Sequence, residues 1–425
     1  MAVLAIKKRI NVCFCIPGIE RLPFRAEGYN FWTWKGRKIH YVEQGTGQPV
    51  ILIHGFGASA FHWRYNIPAL AKRYKVYALD LLGFGWSEKA IIDYDATIWR
   101  DQVSDFLKEI VKEPAILVGN SYKFLVIYDI YARVLRTIGY TIHHVLKIRK
   151  MQLLRWDKTN LLNIRKIQME RKIALEAEIR LGFEREEDDL MVRSSAYGTQ
   201  SNLEREQCLA GFGTSADKLI VRTICLGGFA ALLTAAESAQ LVRGIVLLNS
   251  AGQFSNANTK QSKENGSETA LQKLLVNPVK EALQRIFLGF LFWQAKQPSR
   301  IEKVYINTSN VDNYLVESIT RPAGDPNAGE VYYRLMTRFM SNQSKYTLDS
   351  VLSELSCPLL LIWGDLDPWV GPAKAVRIKD FYPNTTIVNL KAGHCPHDEV
   401  PELVNIALLD WLSSLEPVAG PQASA

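Results

Sequence analysis

Ala115-Ile116-Leu117-Val118-Gly119-Asn120-Ser121 and, 104 residues further on, Leu226-Gly227-Gly228-Phe229 read as the two halves of one motif. The first half is an apolar, β-branched run that ends in glycine, as a strand covered on both faces should end. The second opens an alanine-rich stretch (Ala230, Ala231, Ala235, Ala236) that reads as a helix. Joined, they give G-N-S-L-G-G-F at a strand-to-helix turn. A nucleophile at such a turn is held in a strained conformation. Glycines two places before and two places after it let strand and helix approach. The G-x-S-x-G string alone is a weak signal; a strand before it and a helix after it make it specific.

The flanking sequence supplies more strands of the same kind. Pro49–Ile53, Val76–Leu79, Gly244–Leu248, Leu359–Trp363 and Thr386–Leu390 are short apolar runs separated by longer segments. With Ala115–Val118 they make six, which predicts a doubly wound, mostly parallel α/β sheet. In that architecture the reactive groups gather just past the C-terminal ends of the strands.

A serine hydroxyl needs a base to take its proton. His394, after the last run and before Pro401-Glu402, is the expected base; His397, three residues on, is expected to pack or cap. The base needs an acid to fix its tautomer. Gly364-Asp365-Leu366-Asp367-Pro368 offers two carboxylates, of which Asp367 is expected to be the acid and Asp365 to cap the turn. The order Ser121, Asp367, His394 fits this architecture and not the other triad folds. Two backbone N–H groups must hold the developing oxyanion. His54-Gly55-Phe56-Gly57 offers one, from Phe56. The other follows the nucleophile: Leu226 in the joined reading, Tyr122 in the chain as written.

Residues 122–225 contradict this pattern. The segment has no proline, although the chain has 17, and it puts Lys123 where the elbow needs a small residue. It reads as absent from the working protein, most simply the product of a retained intron. The other readings are a genuine insertion that rebuilds or abolishes the site, or Cys225 as the nucleophile, against which Thr223 stands in the place of a required glycine.

Composition bounds the rest. At 425 residues and 48% hydrophobic, the chain can build one large domain with insertions. Its net charge of +8 hints at nucleic acid, but residues 122–225 hold 18 Lys and Arg against 13 Asp and Glu, leaving 33 against 30 elsewhere. No nucleic-acid partner is expected. Six scattered cysteines, with Cys13 and Cys15 lacking a second pair, exclude a disulfide scaffold and argue against a metal site; no cofactor is expected. The longest apolar run, Ile286–Trp293, is too short to span a bilayer. Residues 1–30 form an N-terminal segment, read equally as a targeting remnant or a frayed end. The core is expected in 31–121, 226–254 and 351–418, a helical cap in 255–350, and a tail in 419–425. Phe290, Phe292 and Trp293 in that cap are candidate substrate contacts.

His54–Ser59 with Trp63, Asp80–Ser87, the joined elbow, Leu248–Gly252 and Trp363–Trp369 resemble plant plastid α/β-hydrolases of the chlorophyll dephytylase and pheophytinase-like group. The likeness covers residues 21–121 and 226–416. It implies the α/β-hydrolase fold and hydrolysis of the phytyl ester of chlorophyll or a close derivative. It also implies a chloroplast setting with peripheral thylakoid contact. A general lipidic esterase, or a non-catalytic ligand-binding protein of the same fold, are the competing readings. The split elbow favours the last for the chain as written.

Overall fold

The structure, a computed structural model, describes residues 19–120, 226–250, 252–255, 277–341 and 346–416. All of them belong to one unit of the chain, Met1–Val126 with Arg222–Ala425. Ser121, Tyr122, Cys225, most of the N-terminal segment and the tail lie outside the described residues.

Eight strands form one sheet: β1 (Asn30–Trp34), β2 (Arg37–Gln44), β3 (Pro49–Ile53), β4 (Lys75–Leu79), β5 (Ala115–Asn120), β6 (Val242–Leu248), β7 (Leu359–Gly364) and β8 (Thr385–Leu390). Their spatial order is β1-β2-β4-β3-β5-β6-β7-β8. The first two pairings, β1 with β2 and β2 with β4, are antiparallel; all the others are parallel.

Strands β3, β5 and β7 are buried along their whole length, which is why they read as unbroken apolar runs. Alternate side chains enter opposite layers, as the pleat dictates. Ile51, Ile53, Leu117, Leu247 and Leu361 pack with Trp99, Phe106 and Ala231 on one face. Val50, Leu52, Ile116, Val118, Val246 and Ile362 pack with Phe61, Trp63, Leu70, Leu408 and Trp411 on the other.

The helix Leu226–Glu237 docks directly against the end of β5. A Cβ on Gly119 would stand 2.5 Å from Gly228 Cα, and one on Gly227 would stand within 2.7 Å of the carbonyl oxygens of Ile53, His54 and Asn120. These glycines are what allow helix and strand ends to meet, as the joined motif requires. Between β6 and β7 the described chain is helical: Asn277–Ala295, Pro298–Glu302, Asn313–Thr320, Ala328–Ser341 and Leu348–Ser353. Leu288, Leu291, Val331, Leu335 and Met336 turn inward from these helices and join the first layer.

Candidate active site

His394 stands just past the end of β8, fully buried. Its Nδ1 is 2.6 Å from Asp367 Oδ2. A carboxylate can only accept, so Nδ1 is the donor of this bond and Nε2 is the ring nitrogen left for another partner. That Nε2 is buried and has no hydrogen-bond partner among the described residues. The ring centres of Trp369 and His394 are 5.2 Å apart in an edge-on arrangement, so the indole walls the imidazole from one side.

Asp367 is fixed by more than its histidine. Its Oδ1 accepts from the Trp369 amide at 2.8 Å, and its Oδ2 also accepts from Asn249 Nδ2 at 2.9 Å. Asn249, just after β6, has a left-handed backbone with φ of 43° and accepts the Gly364 amide at 2.7 Å. It thereby ties the ends of β6 and β7 to the carboxylate. Nothing in the sequence assigned it that role; its place directly after a strand end was the available signal. Asp365 makes no contact with His394. Its Oδ1 has no partner among the described residues, and burial raises its pKa.

On the neighbouring strand ends, His54 donates from Nδ1 to Gly55 O at 2.7 Å and accepts the Leu81 amide on Nε2 at 3.0 Å. Burial lowers its pKa, so it is a neutral strut and not a competing base. Asp80, after β4, accepts from the Ala60 and Trp86 amides and from His40 Nδ1. This buried carboxylate holds Ala60, just past the His54–Gly57 loop, and the turn after β4 that carries Trp86. Phe56 is buried in that loop, edge-on to Phe84 at 5.2 Å, and Leu226 opens the docked helix. The first-turn amides of a helix have no partner within the helix itself.

A cavity of about 70 Å³ lies against this loop. Gly57, Gly83, Phe84, Gly85 and Lys89 line its core side. Phe292, Ile319, Val331, Tyr332 and Leu335 line the side formed by the cap helices. Lys89 Nζ donates to Gly85 O and Ser87 O, and burial lowers its pKa to about 8. Of the three cap aromatics picked from sequence, the structure brings only Phe292 to the cavity. Phe290 and Trp293 are 50% and 55% exposed and stack on each other instead. Their spacing from Ile286 puts all three on the helix's outer stripe, while Leu288 and Leu291 take the inner one.

His397 does pack: its ring lies 4.3 Å from Trp63, and its Nε2 is 3.3 Å from His62 Nδ1. The rest of that buried group, Arg64 with Asp398 and His62 with Tyr305, escaped sequence reading. Among the described residues, no group of His, Cys, Asp and Glu could hold a metal ion. Nor is any helix among them long and apolar enough to cross a membrane.

The mostly parallel eight-stranded sheet, with its strand-end histidine and carboxylate and its inserted helices, defines the class: the chain has the α/β-hydrolase fold. The alpha/beta hydrolase family profile matches residues 50–122. In sequence the chain is similar to chloroplastic pheophytinase of Arabidopsis thaliana, 22% identical over 434 residues, covering 90% of this chain and 66% of that protein. The resemblance to the pheophytinase-like group read from the motifs therefore stands. A 2-hydroxy-6-oxo-6-(2'-aminophenyl)hexa-2,4-dienoic acid hydrolase of Metapseudomonas resinovorans is 44% identical over 90 residues, 20% of this chain and 31% of that protein. The chain thus spans just under two thirds of the first relative and about a third of the second. Among solved structures, a serine hydrolase involved in carbazole degradation aligns at TM-score 0.53 and 19% identity, over 91% of this chain and 98% of its own. A meta-cleavage product hydrolase from Pseudomonas fluorescens aligns at 0.53 and 16% identity, over 92% and 100%. These structures speak to the fold alone.

Proposed function

We propose that this protein is a serine hydrolase that cleaves a hydrophobic carboxylic ester through an acyl-enzyme, with Ser121 as nucleophile, His394 as base and Asp367 as its orienting acid. The observation that carries the reading is the state of His394. Its Nδ1 is committed to Asp367 at 2.6 Å, and its Nε2 is buried with no partner among the described residues. Asn120, the residue before Ser121, lies with its side-chain amide 3.5 Å from the His394 carbonyl oxygen. A buried imidazole whose Nδ1 is bound and whose Nε2 has no partner among the described residues, beside the end of the strand that leads to the serine, is placed to act as a base.

In the proposed cycle, Ser121 Oγ attacks the ester carbonyl while His394 Nε2 takes its proton. The tetrahedral oxyanion is held by the amides of Phe56 and Leu226. Collapse breaks the bond to the alcohol, which leaves with the proton from Nε2. Water, deprotonated by the same nitrogen, then hydrolyses the acyl-serine and restores the enzyme.

The substrate we infer is the phytyl ester of chlorophyll or a close derivative, released as phytol, with the protein in the chloroplast and in peripheral contact with the thylakoid. Support comes from the relative named chloroplastic pheophytinase and from the apolar cap side of the cavity. A cavity of about 70 Å³ is far below the ~300–1,000 Å³ of typical ligand pockets, so the cap must move to admit such a molecule. The elbow further requires Leu226 next to Ser121, so the form that turns over is one lacking Tyr122–Cys225. The 425-residue chain is then inactive or nearly so, because losing one oxyanion donor costs ~10²–10³-fold in turnover.

The test is phytol release from chlorophyll by both forms side by side. Release by the shortened form, lost in Ser121→Ala, is expected. Hydrolysis confined to short nitrophenyl esters would leave a general esterase. Equal turnover by the long form would make residues 122–225 a tolerated element.

A further inference from the structure

Resting on the reading of His394 as the base, we propose that Glu399 is its positioning residue and ties the return segment of the cap to it. Glu399 is buried in the short helix Pro396–Glu399, which starts two residues after His394. Its carboxylate reaches back over the histidine. Oε2 accepts the Gly393 amide at 3.0 Å, and Oε1 accepts the Cys395 amide at 3.4 Å. The amides of the residues on either side of His394 are therefore held by one carboxylate. A chain segment gripped on either side of one residue has little freedom to rotate that residue's side chain away from Asp367.

The same carboxylate takes a third donor from a distant part of the chain. Oε2 also accepts the Asn307 amide at 3.1 Å, and Asn307 Nδ2 donates to the Glu399 carbonyl at 3.2 Å. Asn307 lies between the cap helices Pro298–Glu302 and Asn313–Thr320. Nearby contacts strengthen the junction. Asn310 Nδ2 donates to Asp398 O at 2.7 Å, Arg64 donates to Asn310 O, and Tyr305 pairs with His62 at 2.8 Å. Packing closes the remaining space, since a Cβ on Gly393 would stand 2.6 Å from Glu399 Oε1 and 2.8 Å from Ile306 Cγ1. Cap and base thus share one anchor, and cap displacement is felt at His394 through Glu399.

The geometry has a consequence that a merely structural carboxylate would not. A short imidazole–carboxylate hydrogen bond gives a far-downfield proton resonance, readable in the 425-residue chain whether or not it turns over an ester. Asp367→Asn and His394→Ala identify that proton by abolishing it. In Glu399→Gln the amide group cannot accept on both sides, so the resonance should shift upfield and exchange faster while the fold persists. Where an ester is turned over, kcat should fall by roughly 10²-fold with KM unchanged, the cost of an ångström-scale misplacement. Should Glu399→Gln fail to fold, Glu399→Asp, which keeps the charge but not the reach, reads the same signal. A folded Glu399 variant with the wild-type resonance and wild-type exchange overturns the proposal, even if its melting temperature has dropped. No such resonance in the wild-type chain overturns the His394–Asp367 pair, and the proposal with it. A positioned resonance in a chain that cleaves no ester leaves Glu399's role standing and removes the esterase reading alone.

Discussion

Gly119→Ala adds a single methyl group where strand β5 meets the helix Leu226–Glu237. The new Cβ would stand 2.5 Å from Gly228 Cα, 2.7 Å from Gly228 N and 2.8 Å from Gly227 C, all of them backbone atoms. Carbon atoms rest at ~3.5–4.0 Å, so strand and helix must separate by about 1 Å. Gly119 has no left-handed φ, so alanine suffers no conformational strain there and the effect is steric alone. Overpacking of this kind costs ~1–3 kcal/mol, and rigid backbone on both sides favours the upper end. The same 1 Å at the elbow should cost ~10²-fold in turnover. Gly289→Ala is the internal control. It sits exposed in the helix Asn277–Ala295 with nothing within 4 Å of its added Cβ, and it should gain up to ~1 kcal/mol from helix propensity. Urea denaturation read by circular dichroism compares the midpoints. Gly119→Ala at or above the wild-type midpoint, or Gly289→Ala below Gly119→Ala, would refute the close-approach argument.

Two further outcomes follow from the site. Asp367→Asn keeps the shape of the acid but lets the wrong imidazole nitrogen carry the proton, so kcat of the active form should drop ~10⁴-fold with the fold intact; steady-state ester hydrolysis measures it, and a loss below tenfold would speak against Asp367. Asp398 is raised from 3.8 to about 7, chiefly by burial, against the opposing pull of Arg64. A carboxyl with a raised folded pKa takes up a proton on folding. Its contribution to stability is complete below 3.8 and is lost as pH rises through about 7. Melting temperature measured from pH 5 to 9 should show that decline in the wild type and a flatter curve in Asp398→Asn. Parallel curves would show that Asp398 is ionised throughout.

Much of the sheet was legible because its central strands are buried on both faces. Pro49–Ile53 and Leu359–Trp363 need apolar side chains at every position, and such runs stand out in any sequence. Strands β1 and β2 were missed for the opposite reason. Their antiparallel hairpin has one wet face, so Asn30–Trp34 and Arg37–Gln44 mix exposed polar residues with buried Trp32, Trp34, Ile39 and Val42. Asp367 and His394 could be picked out because strand ends collect reactive groups in this architecture. Asn249 follows a strand end too, but its role rests on a contact across 118 residues, and Glu399 works through backbone amides, so neither role was written in the sequence. Two of the three cap aromatics miss the cavity by helical phase. Phe290 and Trp293 share an apolar run with Phe292, and only the inner stripe of the folded helix decides which one meets the cavity.

The central claim, that Ser121 is the nucleophile served by His394, is tested most directly by a serine-reactive phosphonate followed by peptide mapping. In the form lacking Tyr122–Cys225, the probe should label Ser121 alone and to completion. Ser121→Ala should take no label, and Asp367→Asn should be labelled far more slowly. Labelling that persists in Ser121→Ala, or a folded shortened form that takes no label, would contradict the account.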